Sequence, residues 1–388
     1  MISKKEVKTI CNKLLKNIES NYDVLKKENK KITNDSDYWI DYDYNFIIKY
    51  LNNLVNELDF SLNAKPKGKI LIILSYNEPF IMSVIPILNA IIAGNKILIK
   101  PSKRNIVFFK MIWRGICENH IQIIEDISDF ESKPFDNYLN LVTAVYFYGS
   151  DKVARKLYKM CAKKYLEFYP EVEGADVKVF YYNKKINNKK IRDDVIKTLT
   201  QSYSHNGQIC QRVQGVFVDS KNYNSYLKFL KEEFTNLCLN KNSKSNSLLE
   251  FKIPPINYKN LKNKIKNSDC EEFLKGKKFP LLVINPSDSS TLIKNAYFLP
   301  IMWIKKIKNT THLISLLNDR NFFLGINLYC DNKLSNQIIN NTNFSRYTVN
   351  RHHINTNKDT GWGGNHPTSF GGYEDWISKF SNPYVIIR

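Results

Sequence analysis

Residues 69–102 read KILIILSYNEPFIMSVIPILNAIIAGNKILIKPS, and their pattern is the clearest indication of the fold. Residues 69–74 form an almost wholly apolar run, which is typical of a strand buried on both faces of a sheet. A predicted helix over 79–93 follows and is stopped by Gly94, and a second apolar run over 96–100 predicts the next strand. Two buried strands joined by a helix predict a parallel sheet with a right-handed crossover.

Strands continue to alternate with helices along the 388 residues, a length that suits two domains. Helical spacing of apolar residues predicts helices at 4–20 and 42–58, separated by a polar connector over 26–37. Further strands are predicted at 142–148, 177–182, 213–218, 280–284, 301–305, 322–329 and 346–350, and further helices at 104–117, 150–161, 190–203, 222–236 and 310–318. The sequence therefore predicts an α/β protein.

Composition excludes general disorder, because 43% of the residues are hydrophobic. The most apolar segment, 80–93, is shorter than the roughly 20 residues that a membrane span needs. The seven cysteines form no Cys-x-x-Cys pair and no His/Cys metal spacing, so we predict no metal site. An odd number of cysteines without a signal peptide predicts a reducing, cytoplasmic location.

The net charge of +21 would suit nucleic acid or an anionic membrane surface. The lysines are spread along the whole chain, however, and Asn, Ile and Tyr are abundant too, as a coding bias would produce. We therefore expect no nucleic-acid partner. A diffuse positive field would favour phosphorylated substrates or cofactors.

Residues 204–212, SHNGQICQR, form a polar loop that ends in Cys210 and leads into the strand at 213–218. A thiol at the mouth of such a loop is exposed enough to react and fixed enough to be aimed. The alternative is a buried cysteine that acts as a small hydrophobic residue.

Three other polar positions follow predicted strands, where ligands of parallel sheets collect. Asn77 can donate its amide to a bound oxyanion or can cap the next helix. Lys100 can bind a ribose or phosphate or can be a solvated lysine. Gly149 and Ser150 can hold a pyrophosphate at a helix N-terminus, or Ser150 can act only as its cap.

These segments together resemble the aldehyde dehydrogenase superfamily, from about Gly68 to the end of the chain. The similar motifs are Asn-Gly-Gln-x-Cys at 206–210, Ala-Gly-Asn with Lys-Pro-Ser at 93–102, and Phe-Tyr-Gly-Ser at 147–150. Weaker ones are Glu-Val-Glu-Gly at 171–174, Phe-Leu-Pro at 298–300 and Ser-Phe-Gly-Gly at 369–372. The resemblance implies two Rossmann-like parallel-sheet domains.

The resemblance also implies a role for each matching residue. Cys210 would be the nucleophile, Asn77 would hold the oxyanion, and Glu171 would be the base that activates water, with Glu173 as its rival. The cofactor, NAD or NADP, would be bound by Lys100, Ser102, Lys103, Gly149, Ser150 and Phe298.

Several positions depart from the family pattern. Lys103 stands where an acidic residue often grips the ribose, which favours NADP as a hypothesis. Ala296 replaces a glutamate that holds the nicotinamide ribose, Glu173 replaces a glycine, and residues 119–146 lack the usual glycine-rich turn. These losses predict weakened or differently shaped cofactor binding.

We predict three regions: N-terminal helices and a cofactor domain over 1–178, a catalytic domain over 179–350, and a segment over 351–388 that returns to the cofactor domain. The first hypothesis for function is aldehyde oxidation through a thioester on Cys210. The second is reduction of an acyl-thioester, from coenzyme A or a carrier protein, to an aldehyde. The third is a diverged, non-catalytic binding protein.

The expected substrate is a small molecule, an aldehyde or an acyl-thioester. The short connection between 58 and 69 leaves no room for the hairpin with which many family members form tetramers. A dimer is compatible with the sequence, whereas the usual tetramer is not expected. Residues 350–353 and 361–366 fall where the family's substrate-lining loop lies, and we expect substrate or packing roles there.

Overall fold

The computed structural model describes residues 2–57, 65–125, 127, 130–239, 269–275, 281–351 and 379–382. In this part of the chain, two sheets built mainly from parallel strands form the frame. This arrangement confirms the predicted α/β class. Within those residues no helix is both long and apolar enough to cross a membrane.

Three helices precede the first sheet: α1 (Lys4–Ser20), α2 (Tyr22–Thr33) and α3 (Asp37–Glu57). The predicted connector over 26–37 is therefore wrong, because most of it belongs to α2. The buried stripe of α2 is half polar: it contains Leu25, Asn29, Ile32 and Thr33. The Thr33 hydroxyl donates to the Asn29 carbonyl at 3.0 Å, which lets a polar pair lie in the interior.

The strands and helices of the first sheet, in chain order, are β2 (Lys69–Ile73), α4 (Pro79–Ile92), β3 (Lys96–Lys100), α5 (Ile106–Trp113), β4 (Ile121–Ile123), α6 (Lys133–Leu139), β5 (Ala144–Tyr148), α7 (Asp151–Lys163) and β6 (Glu167–Glu171). The sheet is parallel throughout, with strand order β4-β3-β2-β5-β6. The sequence did not predict β6. This strand contains Pro170, which a sheet tolerates at an edge such as this one.

The elements of the second sheet are β7 (Asp176–Tyr181), α8 (Asn188–Ser202), β8 (Val213–Asp219), α9 (Tyr223–Phe234), β9 (Glu272–Lys275), β10 (Leu281–Ile284), α10 (Thr291–Lys294), β11 (Ile301–Ile307), α11 (Thr310–Asn318), β12 (Gly325–Cys330), α12 (Asn332–Asn341) and β13 (Arg346–Val349). In the described residues its seven strands have the order β13-β12-β7-β8-β11-β10-β9, and only β9 is antiparallel. The ring of Trp303 packs directly on Gly215, where an added Cβ would lie 2.0 Å from it.

The end of the described chain lies against the first sheet. Ser381 and Asn382 form β14, which pairs antiparallel with β1 (Lys65–Pro66). The Asn95 side chain donates to the Phe380 carbonyl at 2.9 Å, and the Phe380 ring is buried in the core of the first sheet.

The predicted domain boundary at residue 178 falls inside β7, whose whole length belongs to the second sheet. The two sheets instead separate between the end of β6 at Glu171 and the start of β7 at Asp176. The division into domains stays a prediction. The predicted substrate-loop segments at 352–353 and 361–366, and the motif at 369–372, lie outside the described residues.

Candidate active site

The loop that carries Cys210 runs from the end of α8 to the start of β8 and begins with a tight 3-10 turn over Ser204–Gly207. His205, Asn206 and Gly207 all have positive φ, at 48°, 54° and 70°. A Cβ on Gly207 would lie 2.3 Å from the carbonyl oxygen of Leu299. Only glycine therefore lets this turn approach the segment that contains Phe298.

Asn77 lies at the carboxyl end of the first sheet's central strand β2 and reaches across to this loop. Its side-chain amide donates to the Gln208 carbonyl at 3.1 Å. The Gln208 side chain is fixed in turn, since it accepts from the Tyr76 hydroxyl at 3.1 Å and donates to the Thr33 carbonyl at 2.9 Å. Asn77 is therefore hydrogen bonded to the loop that carries Cys210, two residues before the cysteine.

One cavity of about 850 Å³ lies between these elements. All nine residues that the sequence singled out line it: Asn77, Lys100, Ser102, Lys103, Gly149, Ser150, Glu171, Cys210 and Phe298. Cys210 itself is partly exposed. The structure thus brings every predicted site residue to a common space, although their roles stay predictions.

Glu171 is the last residue of β6, is 7% exposed, and forms an ion pair with Lys379 from the end of the described chain. Burial lowers the pKa of Lys379 well below its usual range. The Lys379 amine also donates to the Tyr148 hydroxyl at 3.3 Å. No local pattern indicates this lysine, because it follows the last recognisable motif and has nothing distinctive around it.

Glu173 lies beside the N-terminus of α7, where its carboxylate accepts a 2.6 Å hydrogen bond from the backbone N–H of Asp151. Burial raises the pKa of Glu173. The carboxylate therefore takes the position at the positive end of the helix that an anion would prefer. This contact gives Glu173 a capping role that separates it from its rival, Glu171.

Three cations form another wall of the cavity: Lys100, Lys103 and Arg104. Burial, reinforced by the nearby charge of Lys103, lowers the pKa of Lys100. The Lys100 amine lies 5.0 Å from the centre of the Phe130 ring, and the Arg104 guanidinium lies 4.7 Å from the centre of the Tyr76 ring. These aromatic faces hold both cations at the cavity.

Two residues just after Cys210 fix the opposite rim, and neither was assigned a role from the sequence. Arg212, which is 2% exposed, donates to the carbonyls of Tyr297 at 2.5 Å and Ile301 at 2.8 Å. Gln214 accepts from the Tyr297 N–H at 2.9 Å. These contacts hold the segment with Phe298 against the cysteine loop.

A buried cluster of ionisable groups adjoins the same cavity and was missed by the sequence analysis. The Nδ1 atom of His205 lies 2.9 Å from Asp35, and its Nε2 atom lies 3.6 Å from Asp43. Glu78, the residue after Asn77, has a ligand oxygen within 4.8 Å of those of Asp43 and His205. Because Asp35 and Asp43 come from the predicted connector and from α3, about 170 residues before His205, no local motif joins them.

Charge in this cluster is concentrated on one histidine. Burial opposes a positive charge on His205, but Asp43, Asp35 and Glu78 outweigh it and raise the pKa of His205 to about 10. Burial also raises the pKa of Asp43, to about 8, and that of Glu78.

Comparison with known proteins identifies the family of this chain. Residues 38–385 match the model of the aldehyde dehydrogenase family. An aldehyde dehydrogenase-like protein of Saccharomyces cerevisiae is 24% identical over 321 residues, 74% of this chain and 49% of that protein. Aldehyde dehydrogenase family 3 member A2 of Rattus norvegicus is 21% identical over 314 residues, 77% of this chain and 62% of that protein. The chain thus spans about half to two thirds of these relatives' length.

Solved structures show the same fold. The NAD-dependent aldehyde dehydrogenase from Sinorhizobium meliloti superposes with a TM-score of 0.82 at 15% identity, covering 98% of this chain and 81% of that one. A 3,6-anhydro-L-galactose dehydrogenase in complex with NAP gives a TM-score of 0.77 at 16% identity, covering 96% and 84%. The chain belongs to the aldehyde dehydrogenase family.

Proposed function

We propose that this protein is an NAD(P)-dependent oxidoreductase that acts on an aldehyde through a covalent thioester on Cys210. The observation that carries this proposal is the shared cavity, in which Cys210, Asn77 and Glu171 face the cation wall. The sequence relatives and fold neighbours are aldehyde dehydrogenases, which supports the same chemistry.

The residues of the cavity fit a dinucleotide. Lys100, Lys103 and Arg104 supply positive charge for its phosphates, and Ser150 makes no capping bond to α7, so its hydroxyl is available to a ligand. The Glu173 carboxylate would repel a phosphate at the first turn of α7, because it accepts a hydrogen bond there from the backbone N–H of Asp151. This carboxylate must therefore move aside or take up a proton when the cofactor binds. Lys103 and Arg104 together suit a 2′-phosphate, which favours NADP over NAD.

The chain's own residues would then carry the covalent steps. The Cys210 thiolate attacks the aldehyde carbon, and the Asn77 amide and the Cys210 backbone N–H stabilise the oxyanion that forms. The nicotinamide, when bound, supplies the hydride acceptor. Glu171 takes a proton from water, which hydrolyses the thioester and frees the thiolate. Burial lowers the pKa of Lys379, and in its neutral form this lysine could accept that proton from Glu171.

A second function, reduction of an acyl-thioester to an aldehyde, is favoured by the ion pair of Glu171 with Lys379. A carboxylate held in this pair is less available to activate water, and a reductase must keep water from the thioester. The basic chain would suit coenzyme A or an acidic carrier protein as the acyl donor.

Steady-state kinetics with Cys210→Ser test both functions. We expect this change to abolish NAD(P)⁺-dependent aldehyde oxidation and acyl-CoA-dependent NAD(P)H oxidation alike. Cys270→Ser, at a partly buried cysteine that does not line the cavity, is the matched control and should keep the wild-type rate. A Cys210→Ser protein with wild-type activity would contradict the proposal.

Glu171→Gln distinguishes aldehyde oxidation from acyl-thioester reduction. Aldehyde oxidation should fall by at least about 10²-fold, the contribution of a general base, while acyl-thioester reduction should persist. Loss of both reactions in a folded protein would mean that Glu171 has no specific part in hydrolysis.

A further inference from the structure

Three elements bring ligand-type atoms together beside the catalytic loop: α3 with Asp43, the start of α4 with Glu78, and the 3-10 turn with His205. One ligand atom from each lies within 4.8 Å of the other two. Bonds of about 2.0–2.2 Å to a tetrahedral zinc ion place neighbouring ligand atoms about 3.3–3.6 Å apart. The 3.6 Å between Asp43 Oδ1 and His205 Nε2 already falls in this range.

The histidine is oriented as a metal ligand usually is. Its Nδ1 atom is hydrogen bonded to Asp35 at 2.9 Å, which fixes the ring plane and leaves Nε2 directed at Asp43. A carboxylate that holds the far nitrogen of a ligating histidine is a recurrent feature of metal centres. Asp35 is itself buried and accepts a second bond from Asn206 at 3.3 Å, so its position is fixed.

Asp43 provides the independent sign that a ligand is needed. Its side chain is 2% exposed, and its Oδ1 atom accepts no hydrogen bond from any residue that the structure describes. Leaving a buried polar oxygen without a hydrogen bond is costly. This oxygen lies 3.6 Å from His205 Nε2, in the cluster whose third ligand atom belongs to Glu78.

The charge balance also calls for a cation. Three carboxylates, those of Asp35, Asp43 and Glu78, lie around one imidazole. A divalent cation bound at Nε2 would balance their negative charge. Binding would displace any proton from Nε2, since a ligating imidazole must be neutral.

We propose that Asp43, Glu78 and His205 form a binding site for a divalent cation of the zinc class, with Asp35 as the positioning residue of His205. The nitrogen and carboxylate ligands suit Zn²⁺ or a similar first-row ion. Glu78 follows Asn77, and His205 lies five residues before Cys210, so the cation ties the N-terminal helices to both halves of the catalytic site. All three ligands line the cavity, which leaves a coordination position open to it.

Isothermal titration of the chelator-treated full chain with Zn²⁺ tests this site. We expect one Zn²⁺ per chain with proton release, a loss of at least about 100-fold in affinity in Glu78→Gln, and a loss of about 10–100-fold in Asp35→Asn. Glu78→Gln leaves the His205–Asp35 contact in place, so it can report on binding even if Asp35→Asn folds poorly. His312→Gln, at a partly buried histidine 3.1 Å from Asp288, is the matched control and should bind as wild type.

The competing ligand is the Cys210 thiolate, which lines the same cavity. Co²⁺ absorption separates the two, because thiolate ligation gives an intense charge-transfer band that nitrogen and oxygen ligands lack. We expect wild type and Cys210→Ser to show the same cobalt spectrum without that band. No binding by wild type, equal affinity in Glu78→Gln, or a thiolate band lost in Cys210→Ser would each overturn the proposal.

Discussion

The position of Cys210 is set by very close backbone contacts. A Cβ on Gly174 would lie 2.9 Å from the Cys210 carbonyl oxygen, and one on Gly207 would lie 2.3 Å from that of Leu299. Asn77 adds a hydrogen bond two residues before the cysteine. The position of Cys210 therefore depends on contacts that only glycine permits at positions 174 and 207.

Gly207→Ala should lower the rate of aldehyde oxidation by about 10²-fold, since a 1 Å misplacement of reacting groups costs this much. The added methyl forces the turn away from Leu299 and moves Cys210 with it. Gly115→Ala is the matched control: its φ of 69° gives the same backbone strain, but nothing lies within 4 Å of its Cβ. Activity in Gly207→Ala as high as that of Gly115→Ala would contradict a role for this close contact.

Buried ion pairs join elements of the second sheet and one of its helices. On β7, Lys178 pairs with Asp194 of α8, and Asp176 pairs with Arg346 of β13 at 2.9 Å. Lys178 is 1% exposed and Asp194 is 5% exposed. Such pairs are costly to form and more costly to break, because one partner then stays buried without its counter-charge.

Asp194→Ala should lower the free energy of unfolding by about 3–5 kcal/mol, because it leaves the Lys178 amine buried without its carboxylate. The double variant Lys178→Met/Asp194→Leu should recover most of that loss. Glu272→Ala breaks the exposed pair with Lys231 and should cost about 0–1 kcal/mol. Urea unfolding measures all three, and equal losses for the buried and exposed pairs would contradict this reasoning.

Asp176 should stabilise the folded protein less as the pH rises. Burial raises its pKa from 3.8 to about 6, although Arg346 lowers it. Between about pH 4 and pH 6 the folded state then holds a proton that the unfolded state has lost, so this group's contribution falls through that window and is constant above it. The free-energy difference between wild type and Asp176→Asn should change by about 3 kcal/mol across the window. Parallel pH curves would contradict the assignment.

At the scale of the whole molecule, both ends of the described chain meet the site. The N-terminal helices supply Asp35 and Asp43 to the cysteine loop, and the last described residues supply Lys379 to Glu171. Neither contact could be predicted, because each joins residues far apart whose neighbours carry no motif. Helix α2 has a half-polar buried stripe, and the edge strand β6 contains a proline. Neither element therefore shows the regular spacing of apolar residues from which helices and strands are predicted.

The frame and the central site, in contrast, were predictable from local patterns. The apolar runs at 69–74 and 96–100 correspond to β2 and β3, and the glycine-containing segment before Cys210 indicated the cysteine loop. These features depend on neighbours in sequence, since a buried parallel strand or a tight turn restricts which residues can occupy it. The shared cavity then follows from the rule that ligands collect at the carboxyl ends of parallel strands.

We expect Cys210 to carry the substrate as a thioester during turnover. Acid quenching of the protein during its first turnover with NADP⁺ and an aldehyde, followed by peptide mass spectrometry, tests this directly. The peptide that contains Cys210 should gain the acyl group, which adds the mass of the aldehyde less two hydrogens, and this adduct should depend on the dinucleotide and be enriched in Glu171→Gln. NADPH formation without this adduct, or with the adduct on another cysteine, would contradict it.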